Sequence, residues 1–385
     1  MAKRRSIKKH TARSILIAVV AIVLIVAIAL GIFYAVAPDK FNEYKEKFFA
    51  AFRKSDPPAT QPTLEGTLEM TVIDIGQGDC IFLQFPDGQT MIMDAGSEFG
   101  SQNTYEELKD HLELRGVTSL DYVFITHSDY DHIRYMPDIL ADYEVENIYI
   151  PRVAADMSAT WEKTVEAIQA ETYTTESGDA TAAEVHYTVG DFVISGKDWT
   201  MNCHSYLKED YPNVKQSSSA EIKNSVSPVC FLEYADRTIV LTGDSNERNE
   251  EYLIERGVLD VDADVLKVGH HGSKTSTVDG FLDAVDCEYA IVSYGADNEY
   301  GHPTPELMGR LENYRDVSPD DDYNGFKYVY ETAKDGNVSV FIDGDGTLRI
   351  DGEKTDDKDF SLAWGAAAAS VYCRPWRRYE VEIAA

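Results

Sequence analysis

The sequence predicts a mixed α/β fold of the α+β kind, in which helices pack outside mixed sheets. Strand-like and helix-like segments alternate irregularly along the chain, and several strand pairs are joined by short turns typical of hairpins. A doubly wound parallel sheet would need a regular alternation of strand and helix. Hydrophobic residues make up 44% of the chain, which is enough to fill a core between such layers.

Strands are predicted where short apolar or alternating runs end at glycine, aspartate or proline. In chain order these runs are Leu68–Ile75, Cys80–Phe85, Thr90–Met93, Tyr122–Thr126, Ile148–Ile150, strands within Tyr187–Tyr206, Val229–Tyr234, Thr238–Thr242, Val265–Val268, Tyr289–Ser293 and the hairpins from Lys327 to Ile350. Helices are predicted from apolar residues at helical spacing, the first being stopped by Gly116. They are Thr104–Arg115, Thr160–Ala170, Glu247–Arg256, Asp279–Ala284 and Pro305–Tyr314. Residues 171–184 are expected to form an exposed loop.

The N-terminal segment predicts a single transmembrane helix. Residues 1–13 form a basic tail with no acidic residue, and residues 14–37 carry no charge. Such a run exceeds the roughly 20 residues needed to cross a bilayer in helix, and the basic flank keeps the N-terminus cytoplasmic. A cleaved signal peptide is the competing interpretation, because Ala35-Val36-Ala37 resembles a cleavage site. The length of the run and Pro38 favour an uncleaved anchor. Both interpretations place the remainder outside the cytoplasm.

The remaining domain boundaries follow from composition. Residues 38–63 are predicted to be a juxtamembrane helix followed by a proline-rich linker, residues 64–355 the folded domain, and residues 356–385 a tail. The formal net charge is −32, even though the first 13 residues contribute six positive charges. Such a surface repels nucleic acid and anionic lipid on average. The five cysteines lack CxxC spacing, so no thiolate metal site is indicated, and their disulfide state is left open.

The most informative segment follows the apolar run Tyr122–Thr126. His127-Ser128-Asp129-Tyr130-Asp131-His132 offers four imidazole or carboxylate ligands at a strand end, a set that suits zinc, manganese or iron. Three more polar clusters follow strand-like runs, and strand ends that gather at one edge of a sheet can bring distant ligands together. These clusters are Thr242-Gly243-Asp244, Gly269-His270-His271-Gly272-Ser273-Lys274 and Tyr300-Gly301-His302-Pro303-Thr304-Pro305.

Together these motifs resemble the metallo-β-lactamase superfamily, and most closely the extracellular hydrolase domain of the ComEC family of competence DNA-uptake channels. The resemblance rests on the order and spacing of the matching segments, which spread over about residues 68–350. They are Val72–Asp79, Met93–Gly96, Thr126–Ile133, Leu241–Asp244, Ala263–Thr277 and Ser293–Pro305. The resemblance implies an αββα sandwich with two divalent metal ions, manganese or zinc, at one edge. The channel-forming membrane region of that family is absent from the sequence, and one predicted span stands in its place.

The resemblance also implies roles for particular residues. His127 and Asp129 would bind one ion, Asp131 and His132 the other, and Asp244 both, with a later histidine completing the set. His270 and His302 are the further predicted ligands. Asp131, His271 and Lys274 are expected to act on the substrate. Neighbours in a strand point to opposite faces, so His270 and His271 are not expected to be equivalent.

Several other positions have expected roles at or away from this site. Asp79 and Asp94 are expected to support the ligand loop through hydrogen bonds, and Asn224 to face the site. His186 and His204 are expected to be structural. Arg134 stands where the resembled family has glycine; it would narrow the mouth or bind an anionic substrate.

The predicted function is that of a membrane-anchored extracellular metal-dependent hydrolase, with single-stranded DNA or another phosphodiester as substrate and a membrane channel as a partner. The acidic surface argues against nucleic acid, since a nucleic-acid groove needs clustered lysine and arginine. A small-molecule ester, lactone or phosphoester hydrolase is therefore the second hypothesis. A non-catalytic surface binding module is the third, because Asp129 replaces an imidazole and one histidine ligand has no clear counterpart.

Overall fold

The computed structural model describes residues 66–98, 104–154, 157–175, 177–312, 314 and 328–354. The predicted basic tail, anchor, linker and C-terminal tail all lie outside these ranges. Within the described ranges, no helix combines the length and apolar character needed to span a bilayer.

Eight strands form the first sheet, in the order β17-β16-β1-β2-β3-β4-β5-β8. Their bounds are β1 Thr67–Val72, β2 Cys80–Gln84, β3 Thr90–Ala95, β4 Ser119–Phe124, β5 Glu144–Ile150, β8 Glu184–Tyr187, β16 Val338–Asp343 and β17 Leu348–Gly352. Strands β3, β4, β5 and β8 run parallel to one another, whereas the other pairs are antiparallel. A separate two-stranded ribbon consists of β6 Thr172–Thr174 and β7 Ala180–Ala182. Residues 171–184, which were predicted to be an exposed loop, are largely exposed as expected but contain these two short strands.

Seven strands form the second sheet, in the order β15-β14-β13-β12-β11-β10-β9. Their bounds are β9 Asp191–Ser195, β10 Trp199–His204, β11 Val229–Tyr234, β12 Arg237–Leu241, β13 Val265–Lys267, β14 Tyr289–Val292 and β15 Tyr328–Glu331. Strands β12 to β15 are parallel. The described helices are α1 Thr104–Leu114, α2 Tyr130–Ile133, α3 Met136–Asp142, α4 Ala159–Ala170, α5 Ala220–Asn224, α6 Glu247–Arg256, α7 Asp279–Val285, α8 Pro305–Glu312 and α9 Thr332–Asp335, with a 3-10 turn at Gly269–Gly272.

The two sheets pack face to face. Side chains from both, such as Met70 in β1 and Leu232 in β11, share one buried cluster. Alternate residues of a strand point to its opposite face, because side chains along a strand have a period of two. On the outer face of the first sheet, Phe82 in β2 packs in a second cluster with residues of α1 and α4, including Trp161. A third cluster covers the outer face of the second sheet with α6, α7 and α8. The predicted αββα layering is confirmed for the described residues.

The carboxyl ends of the parallel strands place the predicted ligands. Strand β4 leads into His127, β12 into Asp244, β13 into the Gly269–Gly272 turn and β14 into Ser293. In sheets with parallel strands, this edge is where functional groups gather. Two short helices that the sequence did not predict, α2 and α3, follow the ligand loop at once, and α2 carries Asp131 and His132.

Candidate metal centre

The carboxylate of Asp244 lies at the middle of a cluster of four imidazoles, of which three are buried and that of His270 is partly exposed. Its Oδ1 atom is 3.1 Å from His132 Nε2 and 3.5 Å from His271 Nε2. Its Oδ2 atom is 3.8 Å from His127 Nε2 and 3.7 Å from His270 Nε2. Each oxygen therefore faces a separate pair of ring nitrogens, an arrangement suited to a carboxylate shared by two cations.

Asp131 joins the group on the Oδ1 side of Asp244. Its Oδ2 atom is 3.2 Å from His271 Nε2, and His271 Nε2 is also 3.2 Å from His132 Nε2. The backbone of Asp131 is held by neighbouring loops, because its carbonyl accepts a hydrogen bond from the Asp79 amide at 3.1 Å. A Cβ at Gly96 would overlap this same backbone, so only glycine allows the Asp94-Ala95-Gly96 loop to approach so closely.

Asn224 joins the group on the Oδ2 side. Its Nδ2 atom donates to Asp244 Oδ2 at 3.3 Å and lies 3.2 Å from His270 Nε2. Asp129 is half-buried at the start of α2. Burial, reinforced by the charge of Asp131, raises the pKa of Asp129 to about 6. The structure thus brings Asn224 to the site, as expected, and adds His270 to the same side.

The residues fit divalent metal ions on two grounds. Among the described residues, His127 Nε2 and Asp244 Oδ1 are buried without a hydrogen-bond partner, which is costly unless a ligand satisfies them. Burial, together with the charge of His132, lowers the pKa of His127 to about 4, so its ring is neutral at pH 7. Burial opposes ionisation of Asp244, but the charges of His132, His271 and His270 together outweigh it and keep the pKa of Asp244 well below its usual range. His127 and Asp244 are therefore in the forms that bind metal. Despite burial, the charges of neighbouring carboxylates, Asp244 first, raise the pKa of His132 and of His271 above 6.5, so these two rings would release a proton when an ion binds.

Asp94 orients His132 from outside the cluster. Its Oδ2 atom is 2.7 Å from His132 Nδ1, and the carboxylate also accepts hydrogen bonds from the backbone amide of Thr126 at 2.8 Å and its hydroxyl at 2.6 Å. With Nδ1 engaged by Asp94, Nε2 is the nitrogen that faces Asp244. Carboxylate contacts of this kind fix the tautomer of a metal-binding histidine. Asp94 was expected to support the ligand loop through hydrogen bonds, and these contacts confirm that position.

Asp79 belongs to the same buried group, since its carboxylate lies within 4.8 Å of ligand atoms of His132, Asp244 and His271. Its Oδ2 atom, however, is 2.8 Å from the ammonium of Lys267, and its Oδ1 atom is 3.5 Å from His271 Nδ1, on the far side of that ring from Asp244. His271 Nδ1 is also 3.1 Å from the Ser293 carbonyl. We therefore assign Asp79 to positioning His271 and not to the metal.

His270 and His271 were expected to lie in a strand and to point to opposite faces, and this geometry was wrong. The two residues lie in a left-handed turn, with φ of 49° and 52°, and not in a strand. Both Nε2 atoms consequently face Asp244, each toward a different oxygen. Two consecutive non-glycine residues in this region cost about 1–3 kcal/mol each, which the surrounding structure must offset. His271 is thus placed among the ligand-like groups, although the sequence predicted it to act on the substrate.

The other predicted site residues lie farther from Asp244 or bond elsewhere. The ring of His302 is 5.4 Å from that of His270, and its Nδ1 atom is buried without a partner among the described residues. The side chain of Lys274 is exposed. Arg134 donates to the Ser97 carbonyl at 3.0 Å and its guanidinium lies over two tyrosine rings. Its expected contact with an anionic substrate stays a prediction. Sequence reasoning missed the buried ion pair of Lys267; the signal was a lysine inside an apolar strand.

The histidines expected to be structural bond away from the cluster. His186 Nε2 is 3.2 Å from Asn147 Oδ1, and the ring stacks on Tyr149. His204 Nδ1 is 2.9 Å from Asp191 Oδ1. Neither of these contacts involves Asp244, and the second imidazole on the Oδ2 side of Asp244, beside His127, comes from His270.

Fold and site together define a metallo-β-lactamase superfamily domain, and residues 73–199 match the family model described as the metallo-beta-lactamase superfamily. The chain belongs to this superfamily and, within it, is similar to the competence proteins. It is 30% identical over 295 residues to ComE operon protein 3 of Bacillus subtilis, which covers 73% of this chain and 35% of that protein. It is 26% identical over 276 residues to Recombination protein 2 of Haemophilus influenzae, covering 71% of this chain and 29% of that protein.

The chain thus spans about a third of the length of these relatives. The structure of the metallo-beta-lactamase fold protein YhfI from Bacillus subtilis aligns with 69% of this chain and 96% of its own, at 14% identity and a TM-score of 0.41.

Proposed function

We propose that this protein is a membrane-anchored extracellular hydrolase that uses two divalent metal ions to cleave phosphodiester bonds, with single-stranded DNA as the first substrate to test. The observation that carries the proposal is the position of Asp244, whose two oxygens each face a separate pair of imidazoles. The similarity to competence proteins and to Recombination protein 2 supports DNA as the substrate.

Seven side chains would hold the two ions, Asp244 being shared between them. The first ion would be held by His127, Asp129 and His270, and the second by Asp131, His132 and His271. Two such ions, when bound, lower the pKa of a water molecule and neutralise charge on a phosphoryl group. Manganese is favoured over zinc by the share of carboxylate ligands.

The remaining polar groups keep this arrangement in place. Asp94 holds His132 with Nε2 toward the ions, and the Asp79–Lys267 pair packs behind His271. Because these groups are fully buried, they exclude water from the back of the site. Preorganised ligands of this kind need little reorganisation when the metal or the substrate binds.

The experiment is cleavage of a labelled single-stranded oligonucleotide by the purified full-length protein, with manganese and with chelator. Cleavage must depend on metal and must be lost in Asp131→Ala and Asp244→Ala. The matched control is Asp345→Asn, an exposed carboxylate in the β16–β17 hairpin, which must retain activity. Cleavage that persists in Asp244→Ala protein would refute the proposal.

A small-molecule metallohydrolase is the second candidate, favoured by the net charge of −32 and by the engagement of Lys267 and Arg134 within the protein. A panel of lactones, esters, phosphate monoesters, cyclic dinucleotides and oligonucleotides separates the two, because only one class should reach a high kcat/KM. A non-catalytic binding module, the third candidate, would be supported by the absence of stoichiometric metal under every loading condition.

The anchor and the orientation remain part of the proposal, and a membrane channel supplied by another protein is its proposed partner. The basic residues 1–13 followed by the uncharged residues 14–37 support this topology. Protease added outside intact cells should digest the hydrolase domain, whereas a tag placed before residue 1 should be protected. Protection of both regions would contradict the topology.

A further inference from the structure

Two exposed aromatic rings lie beside the metal cluster, one at the start of α2 and one on the loop that carries His302. Among the described residues, six large hydrophobic side chains are exposed, and Tyr130 and Tyr300 are two of them, at 42% and 50% exposure. The other four lie at 114, 185, 187 and 193, away from the ligand loops. A single exposed hydrophobic side chain is ordinary on a protein surface. Two aromatic rings beside the same polar cluster, however, are placed where they could contact a bound ligand.

Tyr130 stands between two predicted ligands in the sequence, Asp129 and Asp131. It begins α2, so its position is fixed by the same turn that orients Asp131 and His132. The guanidinium of Arg134 lies 5.5 Å from the centre of its ring. Because that guanidinium also donates to the Ser97 carbonyl, it supports the ring from within the protein.

Tyr300 comes from a different loop and lies against His302. Their ring centres are 5.7 Å apart with an angle of 27° between planes, and the ring of His302 is 5.4 Å from that of His270. The hydroxyl of Tyr300 hydrogen-bonds to Glu98, and burial, together with this bond, raises its pKa above the usual range. The ring is therefore held at the site by contacts at its edge and on one side, while half of its surface stays exposed.

Two of the cationic side chains near the cluster are engaged within the protein, whereas that of Lys274 is exposed and Lys223 acts electrostatically on Asp129. Lys267 is fully buried against Asp79, and Arg134 is bonded to Ser97 and stacked on Tyr130 and Tyr135. Proteins that bind single strands combine phosphate contacts with base stacking on aromatic rings. Because phosphate contacts are weak on a surface this acidic, base stacking must contribute more of the affinity for a single strand.

We propose that Tyr130 and Tyr300 stack on unpaired bases of a single-stranded nucleic acid, so that the phosphodiester next to a base is delivered to the metal cluster. This inference rests on the proposed phosphodiesterase function and specifies its substrate class. Stacking accepts any base but needs the base to be unpaired, so duplex DNA is a poor substrate. Loss of either ring should weaken binding between about fivefold and a hundredfold.

The test compares an oligothymidylate with an abasic oligonucleotide of the same length, both fluorescently labelled. Binding to the full-length protein in detergent is measured by anisotropy in the presence of chelator, so that no strand is cut. The variants are Tyr130→Ala, Tyr130→Phe, Tyr300→Ala and Tyr300→Phe, and Tyr187→Ala is the control for an exposed tyrosine on β8. Thermal unfolding checks that each variant is folded.

We expect the wild type to bind the base-bearing strand more tightly than the abasic strand by at least fivefold. This ratio should fall toward one in both alanine variants and persist in both phenylalanine variants and in Tyr187→Ala. A ratio near one in the wild type, which needs no variant to fold, overturns the inference. So does an unchanged ratio in both alanine variants.

A separate cleavage assay with manganese and bis(p-nitrophenyl) phosphate distinguishes this inference from the proposed function. Hydrolysis of that diester without any base preference in binding refutes stacking and leaves the phosphodiesterase assignment standing. Base-dependent binding with no hydrolysis of any phosphodiester refutes the phosphodiesterase assignment and leaves stacking supported.

Discussion

The ammonium of Lys267 lies 2.8 Å from the carboxylate of Asp79, and both side chains are almost fully buried behind His271. Burial alone would raise the pKa of Asp79, but the charge of Lys267, together with those of His271 and His132, reverses this and keeps it below the usual range. Lys267 also donates to the Val268 carbonyl at 3.0 Å. The pair thus fixes the end of β13 at the point where the His270–His271 turn begins.

Removing one partner of this pair should be strongly destabilising. Lys267→Met removes the closest cation from the buried carboxylate of Asp79, with an expected loss of about 3–5 kcal/mol in the free energy of unfolding. The matched control is Lys354→Met, which breaks an exposed ion pair with Asp74 and should cost less than about 1 kcal/mol. Urea unfolding measures both. Equal losses in the two variants would contradict the role given to Lys267.

Asp94 is predicted to tune metal affinity without touching the metal. Asp94→Asn keeps the size of the side chain but removes the charge that orients His132, so metal affinity should fall about 10–100-fold. Competition with a chromophoric chelator measures this change. If Asp94→Asn binds manganese as tightly as wild type, His132 does not depend on Asp94 for its orientation.

His270 and His271 are predicted to serve different ions, because their Nε2 atoms face different oxygens of Asp244. His271→Ala should lower the number of bound ions from about two to about one by weakening the site with Asp131 and His132. His270→Ala should remove the other ion. Elemental analysis counts the ions, and manganese electron paramagnetic resonance should show loss of the coupled pair in both variants. Retention of both ions in either variant would refute the assignment.

His111 predicts a component of acid sensitivity that is independent of the metal centre. Burial, together with the charge of Arg115, lowers its pKa well below 6.5. The unfolded chain then takes up a proton that the folded chain does not, so stability is full above about pH 6.5 and declines below it, by up to about 1.4 kcal/mol per pH unit. His111→Phe should remove this decline while keeping an aromatic contact with Phe82.

The measurement is chemical unfolding of wild type and His111→Phe between about pH 7.5 and 5. Other groups titrate in both proteins, so the quantity to compare is the difference between the two curves. Parallel curves over this range would show that His111 is protonated equally in the folded and unfolded states.

Most strands and the convergence of the clusters could be predicted from the sequence. The apolar runs before His127 and Asp244 have the length and composition of buried strands, and polar residues directly after such runs lie at a sheet edge. The αββα layering was predicted from the family resemblance, because an irregular alternation of strands and helices is compatible with several mixed α/β folds.

The local geometry of the ligands could not be predicted. Left-handed φ values at His270 and His271 are unfavourable for non-glycine residues, and only tertiary contacts hold them there. Burial of Lys267 depends on a partner 188 positions earlier in the chain, Asp79, which no local pattern reveals. The hydrogen bond from Arg134 to the Ser97 carbonyl was likewise not predictable, since its acceptor lies on another loop.

The central claim is that Asp244 is shared by two metal ions, and anomalous diffraction from manganese-soaked crystals tests it most directly. The account predicts two anomalous peaks, one beside each oxygen of the Asp244 carboxylate, with His132 and His271 at one and His127 and His270 at the other. A single peak distant from Asp244, or no peak within the cluster at saturating manganese, would contradict it.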